Sequence, residues 1–272
     1  MKPVAVAGAT GLVGALLADA LRSRGYPVSP ISRSQGVDLT TGDGLEDALR
    51  GADAVVDVSN IVTTSRPAAV EFFGEATARL LRGAAQHGVS HYLVLSIVGV
   101  DDIDYGYYQG KQVQERLVRS ADVEHTIIRT TQFHEFAAQM LQRMRFGPLA
   151  LIPAMTSQPV AAVEVAEALA DLVDAGPPKG PQSSATVEMA GPERWSLIDM
   201  VRRYQRQVGD RHLALSVPVP GRAGRRMRHG GLLPHGPTWR TGTVTFEQWL
   251  EGVVGPPFSS RSALTRRVVD HA

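Results

Sequence analysis

Val4-Ala5-Val6-Ala7-Gly8-Ala9-Thr10-Gly11-Leu12-Val13-Gly14 decides the fold. Four consecutive apolar residues, Val4–Ala7, predict a short strand buried on both faces. Leu12, Val13, Leu16, Leu17, Ala20 and Leu21 then recur at helical spacing until Arg24-Gly25 supplies a stop. Between strand and helix lie three glycines, Gly8, Gly11 and Gly14, at G-x-x-G-x-x-G spacing. Amides at a helix N-terminus lack partners and carry the positive end of the dipole, so such a loop can face a pyrophosphate. Glycines at this spacing also serve tight turns with no ligand, and it is the strand before and the helix after that make dinucleotide binding the reading.

Outward from this stretch the pattern repeats. Val28–Ser32 reads as a strand, with Pro27 and Pro30 as poor guests, and Gly36–Leu39 as a short strand. Leu45–Leu49 reads as a helix, Ala54–Val58 as a near-continuous apolar strand, Pro67–Gln86 as a long helix closed by His87-Gly88 and Tyr92–Leu95 as a strand. A helix including Lys111–Val118 and a strand at Thr126–Arg129 complete the first half. This alternation predicts an α/β fold, a Rossmann-type doubly wound parallel sheet, over residues 1–150. Residues 151–272 read as a smaller C-terminal substrate-side lobe packed on that domain, not an independent domain. There the periodicity gives helices at Phe133–Phe146, Val163–Val173 and Phe246–Val253, extended segments at Leu149–Ile152, Thr186–Met189 and Leu213–Val217, and a loop from Gly176 to Pro181. Ser196 and Asp199 have capping-box spacing, the segment before the last helix is rich in Pro, Gly and Arg, and the chain from Ser260 on has weak periodicity.

Composition narrows the function. The chain has 272 residues, 43% hydrophobic and 20% charged, which is ordinary for a globular protein. Lys+Arg 28 against Asp+Glu 27 leaves +1, so no global field steers it to nucleic acid or an anionic membrane. With no cysteine, disulfides, thiolate metal sites and a cysteine nucleophile are excluded. No apolar run approaches the length of about 18 residues that a membrane span needs, and the N-terminus carries no signal-type apolar region, so a cytoplasmic location is expected. His87 and His91 are four apart, yet Gly88 breaks the helix that would align them; no metal site is expected. Arg222, Arg225, Arg226 and Arg228 read as a solvated helix face, and Trp195, Trp239 and Trp249 as packing residues.

Several side chains carry chemistry. At the end of the second strand, Ser32-Arg33-Ser34 offers no carboxylate for ribose hydroxyls; Arg33 with two hydroxyls suits a 2′-phosphate and favours NADP(H) over NAD(H), the alternative being a solvated arginine. Tyr107 and Lys111, four apart at a helix start, occupy one face and can share a site, where a nearby ammonium would lower the phenol's pKa. Tyr105 and Tyr108 compete for the acid role, and a reading in which the tyrosines only pack stays open. His134 can bind substrate or line a pocket, with Glu135 a weaker candidate.

The glycine loop, Leu93-Val94-Leu95-Ser96-Ile97-Val98-Gly99-Val100-Asp101, Tyr107-Tyr108-Gln109-Gly110-Lys111 and Ile127-Ile128-Arg129-Thr130-Thr131-Gln132-Phe133 resemble the atypical short-chain dehydrogenase/reductases, specifically the NmrA-like NAD(P)H-binding branch, over roughly residues 1–175. The resemblance implies a cofactor lying across Gly8, Thr10, Gly11, Leu12 and Gly14. It puts Arg33 on the adenosine phosphate, Asp38 and Leu39 beside the adenine, Ser59 and Asn60 at the ribose, and Thr131, Gln132 and Phe133 along the nicotinamide. It implies that Tyr107 protonates a nascent alkoxide while Lys111 also holds the ribose, and that Tyr108 and His134 face substrate. A catalytic hydroxyl is usual near the end of the Tyr92–Leu95 strand; here it is Ser96, or its place falls on Val98, leaving Ser96 a structural or cofactor contact.

The expected function is NADPH-dependent reduction of a carbonyl, or a related C=C or C=N group, of a small organic substrate by a monomer or homodimer. A non-catalytic NADP(H)-binding redox sensor and an epimerase or isomerase are the alternatives.

Overall fold

β1 (Val4–Ala7) is buried along its whole length and enters a turn at Gly8, whose φ of +81° is the left-handed region that a side chain would strain. The structure, a computed structural model, describes residues 1–179, 184–236 and 239–254. After the turn come α1 (Leu12–Ser23), β2 (Val28–Ile31), α2 (Leu45–Leu49), β3 (Ala54–Asp57), α3 (Arg66–His87), β4 (His91–Ile97), α4 (Gly106–Arg119) and β5 (His125–Thr130). α3 starts at Ser65, whose hydroxyl accepts from the Ala68 amide, has a proline in its first turn and stops at Gly88 with φ +66°.

The chain continues through α5 (Phe136–Arg143), β6 (Arg145–Phe146), β7 (Leu149–Pro153), β8 (Thr156–Ser157), α6 (Ala162–Ala175), β9 (Ser184–Ala190) and β10 (Trp195–Ser196). It ends in α7 (Leu197–Val208), β11 (Leu213–Val217), α8 (Gly221–Arg228), β12 (Arg240–Thr241) and α9 (Phe246–Val254). The main sheet has seven strands in the order β12-β9-β5-β4-β3-β1-β2. β1 pairs in parallel with β2 and β3, and β3 with β4. This is the expected doubly wound α/β fold. β2 is an edge strand, which explains how it accommodates Pro30. One sheet face packs Ala5, Ala7, Ile31, Val55, Tyr92, Val94 and Ile127 against apolar side chains of α2, α3 and α4, among them Leu49, Leu80 and Val118.

The chain forms two compact units: residues 1–129 with 165–187, and residues 130–164 with 188–272. The first thus ends near residue 129 and takes in most of α6, where the sequence pointed to a division at 150. In the second, β6, β7 and β11 form a three-stranded sheet, and β8 pairs with β10. Among its side chains, His134, Trp195, Phe246, Trp249 and Tyr204 form a chain of ring contacts at 5.4–6.2 Å.

Two local readings are corrected. Gly36–Leu39 is no strand: the Asp38 carboxylate accepts from the Thr40 amide and hydroxyl, both at 2.7 Å, and Gly36 has φ +78°, so the segment is a turn. The helix expected over Phe133–Phe146 is confined to Phe136–Arg143, because Phe133 bridges to Val160 and Arg145–Phe146 joins β7 as a strand. The solvated helix face expected at Arg222, Arg225, Arg226 and Arg228 lies on α8, where Arg222, Arg225 and Arg226 are exposed and Ala223, Gly224 and Met227 are buried. Part of the loop expected at Gly176–Pro181 and everything from Ser260 on lie outside the described residues. Among the described residues no helix is long and apolar enough to cross a membrane.

Candidate functional site

The connection reverses direction beside β1: the chain passes from β1 to β2 on one side and returns with β3 on the other. In open parallel sheets the crevice beyond the strand ends at such a switch point is where ligands bind. Ala7 is level with Ile31, Asp57 is level with both Ala7 and Val94, and the segments that follow β1 and β3 enter this crevice together. Gly8 and the end of β3 are in close apposition, since a Cβ on Gly8 would lie 2.8 Å from the Val58 carbonyl and 2.9 Å from Ser59 Cα. A Cβ on Gly14 would lie 2.0 Å from the Gly8 carbonyl, so the first turn of α1 sits directly on the loop. Gly11 caps α1 with no side-chain hydrogen bond, and no acidic residue occupies the first turn. Thr10 and Gly11 are exposed and Leu12 half-buried. The helix therefore presents amides that no capping side chain satisfies, in a form suited to phosphate oxygens.

Ser59 and Tyr107 bring the second layer. Ser59 is 4% exposed and its Oγ has no hydrogen-bond partner among the described residues. An unpartnered buried hydroxyl at a ligand crevice is a position that a ligand hydroxyl or phosphate completes. Asn60 is exposed, and its Oδ1 accepts from the Tyr107 hydroxyl at 2.7 Å. Tyr107 is carried by α4 and stacks edge-on against Phe73 of α3 at 5.6 Å and Tyr108 at 6.2 Å. The two helices are drawn close by glycine: a Cβ on Gly106 would lie 2.4 Å from the Thr64 carbonyl, and on Gly110 2.7 Å from that of Ala69. Glycine loop, Ser59, Asn60 and Tyr107 are thus assembled by one β-α framework.

Lys111 is buried one helical turn on. Its ammonium donates to the Leu95 carbonyl at 2.9 Å and to Gln114 Oε1 at 2.8 Å, and lies 4.4 Å from the Phe73 ring centroid. Burial pulls it down to about 8, against the opposing pull of Asp57 and Glu115. The expected lowering of the Tyr107 phenol by this ammonium is reversed: burial pushes Tyr107 well up, and it is a neutral phenol at physiological pH. Two residues unremarked in the sequence, Asp57 and Gln114, tie the site together. Asp57 accepts from the Ser59 amide (2.9 Å), Tyr92 hydroxyl (3.1 Å) and Gln114 Nε2 (2.8 Å), and Gln114 in turn accepts from Lys111. The available signal was a carboxylate closing the apolar run Ala54-Val55-Val56.

Arg33 stands exposed in a 3₁₀ turn after β2, and the Ser32 and Ser34 hydroxyls are 3.2 Å apart. Asp38 is held below its ordinary range by the Thr40 hydroxyl and amide, with a smaller contribution from Arg33. Leu39 is buried in the core cluster. Ser96 has structural surroundings: its buried hydroxyl donates to Glu115 at 2.5 Å, and Glu115 also pairs with Arg129 at 2.6 Å and Arg119 at 2.9 Å. Val98 is fully buried.

Thr131, Gln132, Phe133 and His134 belong to the second unit. The Thr131 hydroxyl donates to the Gln158 carbonyl at 2.6 Å, the Gln132 side chain accepts from Ser157, and Phe133 bridges to Val160. His134 is 1% exposed, with Nε2 2.9 Å from the Val244 carbonyl and burial holding it below its ordinary pKa. That carbonyl fixes Nε2 as the protonated nitrogen of a neutral ring. Glu135 is also buried, accepts from Trp249 Nε1 at 3.1 Å and is pushed up to about 7 by desolvation. Among the described residues no three His, Cys, Asp or Glu side chains gather as a metal site.

The comparisons with known proteins agree with this geometry. The model of a family described as NAD(P)H-binding matches residues 8–175, more than half of the chain. No curated protein matches. Among solved structures, the chain is similar to UDP-glucose 4-epimerase from Bifidobacterium longum, solved with NAD⁺ and UDP, at 12% identity and a TM-score of 0.65 over 99% of this chain and 97% of that one. It is similar to a short-chain dehydrogenase/reductase superfamily protein from Agrobacterium tumefaciens with bound NAD, at 18% identity and 0.63 over 97% of each chain. It is also similar to the Citrobacter sp. triphenylmethane reductase complexed with NADP(H), at 15% identity and 0.62 over 99% and 100%. At such identities these likenesses establish the fold. With the glycine loop, the switch-point crevice and the matched family model together, the chain belongs to the NAD(P)H-binding family.

Proposed function

We propose that this protein is an NADPH-dependent oxidoreductase that reduces a carbonyl, or a related C=C or C=N group, of a small organic substrate. The observation that carries the reading is the placement of the Tyr107 hydroxyl on Asn60, beside the unpartnered Ser59 hydroxyl and the glycine loop. Bound NADPH supplies the hydride. Gly8, Thr10, Gly11, Leu12 and Gly14 hold the pyrophosphate, and Ser59 and Asn60 the ribose. Thr131, Gln132 and Phe133 remain assigned to the nicotinamide side on the family resemblance. Arg33, flanked by two hydroxyls and free of ion pairs among the described residues, favours the 2′-phosphate of NADP(H). Because burial keeps Tyr107 protonated, it enters the reductive direction as a proton donor to the substrate oxygen. Lys111, two of whose three donors are already fixed, keeps a cation beneath the site and a donor for the ribose. Ser96 is assigned to the Glu115 cluster, and His134 to packing.

One observation favours a second reading, a non-catalytic NADP(H)-binding sensor: neither Ser96, bound to Glu115, nor buried Val98 offers a hydroxyl to a substrate. Turnover separates the two. Against a panel of aldehydes and ketones, the wild type oxidises NADPH, and Tyr107→Phe keeps its NADPH affinity while losing at least about a hundredfold in kcat. NADPH binding with no turnover on any substrate supports the sensor; unchanged kcat in Tyr107→Phe removes the tyrosine from the chemistry.

A further inference from the structure

A carboxylate and an ammonium are buried in the first unit without pairing directly. Asp57 is 0% exposed and Lys111 4%, and the fully buried amide of Gln114 stands between them. Its Nε2 donates to Asp57 Oδ2 and its Oε1 accepts from Lys111, each at 2.8 Å. The two charges fix the orientation of the amide, because a flipped side chain would set its NH2 against the ammonium and its carbonyl against the carboxylate. Both hydrogen bonds are therefore charge-assisted. Around the ammonium, β4 contributes the Leu95 carbonyl and α3 the Phe73 ring, and the charged groups are Asp57 on β3 and Glu115 on α4 itself. Glu115 is already taken by Arg129 at 2.6 Å and Arg119 at 2.9 Å. Asp57 pairs with no cation among the described residues; its partners are the Ser59 amide at Oδ1 and the Tyr92 hydroxyl and Gln114 at Oδ2. It is therefore the counter-charge left to Lys111.

We propose that Asp57 and Gln114 are positioning residues of the nucleotide site: one carboxylate holds the Ser59 backbone by its Oδ1 and, by way of the Gln114 amide, holds Lys111 from its Oδ2. The proposal rests on the reading of Ser59 and Lys111 as ribose contacts. The amide takes one N–H of the ammonium and the Leu95 carbonyl a second, while the third has no acceptor among the described residues and is left for the nucleotide. Burial pulls Lys111 down to about 8 against the opposing pull of Asp57 and Glu115. Its charged state at neutral pH is thus set by the counter-charge that reaches it, and the Gln114 amide is the path by which Asp57 does so.

The chain has three lysines, Lys2, Lys111 and Lys179, so NMR of the full chain carrying 13C-labelled lysine resolves the Lys111 side chain, assigned by its loss in Lys111→Arg. Without nucleotide, the Lys111 titration midpoint falls by at least about one pH unit in Gln114→Leu and in Asp57→Asn, although Asp57 makes no contact with the ammonium. Gln114→Glu, which keeps an acceptor on the ammonium, holds the midpoint at or above that of the wild type. A fall of about one unit from about 8 takes the charged fraction at pH 8 from about a half to about a tenth. NADPH then binds about fivefold more weakly to Gln114→Leu and Asp57→Asn at pH 8, and the difference closes toward pH 6. A merely structural role moves neither the midpoint nor this pH dependence. Circular dichroism identifies the folded variants, and the nearly isosteric Asp57→Asn carries the test where Gln114→Leu does not fold. A Lys111 midpoint equal to that of the wild type in the folded variants overturns the proposal, as does a lowered midpoint with NADPH affinity unchanged at pH 8. A lowered midpoint in variants of a wild type that binds no NADPH supports the hold on Lys111 and overturns instead the reading of Lys111 as a ribose contact.

Discussion

Replacing Ser59 with alanine separates stability from function at the proposed site, because the two effects have opposite signs. The Ser59 hydroxyl is buried at 4% exposure, and its Oγ has no partner among the described residues. Burying an unsatisfied hydroxyl costs about 1–3 kcal/mol, and alanine removes that cost while giving up one small atom's packing. The variant without nucleotide is therefore more stable by about 1 kcal/mol, which raises Tm by about 2–4 °C for a chain of this size. With nucleotide present the sign reverses: a neutral hydrogen bond to the ribose is lost, about 1 kcal/mol, or about a fivefold weaker Kd for NADPH. Differential scanning fluorimetry without ligand, together with fluorescence titration of NADPH, reads both. A variant that is less stable than the wild type and binds NADPH equally well would refute the reasoning, since the hydroxyl would then be satisfied by the protein and irrelevant to the ligand.

Arg33→Ala lowers the ratio of NADPH to NADH affinity by about ten- to a hundredfold, the worth of a charge-assisted phosphate contact, and leaves NADH affinity as it was; Kd values for both nucleotides check this. Gly14→Ala drives a Cβ to within 2.0 Å of the Gly8 carbonyl, destabilises the chain by about 1–3 kcal/mol or more and abolishes nucleotide binding, as melting and titration together would record. Glu135 has its carboxyl pushed up to about 7 by burial, so the native state holds a proton that the unfolded chain releases at a lower pH. Its contribution is fully present below the unfolded carboxylate pKa and is lost as pH rises toward 7. Glu135→Gln should therefore gain stability relative to the wild type across that window, by about 3 kcal/mol, and denaturant melts at pH 5 and pH 8 that differ equally for both proteins would contradict it.

The parts of the fold that were legible in the sequence are those fixed by neighbours along the chain. The glycine loop is one, because Gly8 must take a positive φ and Gly14 must admit a backbone carbonyl, and both demands are local. The Ser196 cap of α7 is another: its hydroxyl accepts from the Asp199 amide, as the spacing required. Gly36–Leu39 misled because alternation over four residues cannot outweigh the hydrogen bonds that the Asp38 side chain makes with Thr40. Residues held by partners distant in sequence left no trace. Asp57 gains its meaning from Tyr92 and Gln114, and Lys111 meets the Leu95 carbonyl and Phe73 rather than lowering a neighbouring phenol. The arginines of α8 marked its solvated face, while the buried side of Ala223, Gly224 and Met227 was concealed by small residues.

The most direct test of the account is a side-by-side titration of the purified protein with NADPH, NADP⁺, NADH and NAD⁺. Tight binding of the phosphorylated pair, with the unphosphorylated pair at least about tenfold weaker, is the predicted result. Equal affinity for both pairs, or a preference for NADH, would contradict the assignment of Arg33 and with it the NADPH-linked reduction proposed for this protein.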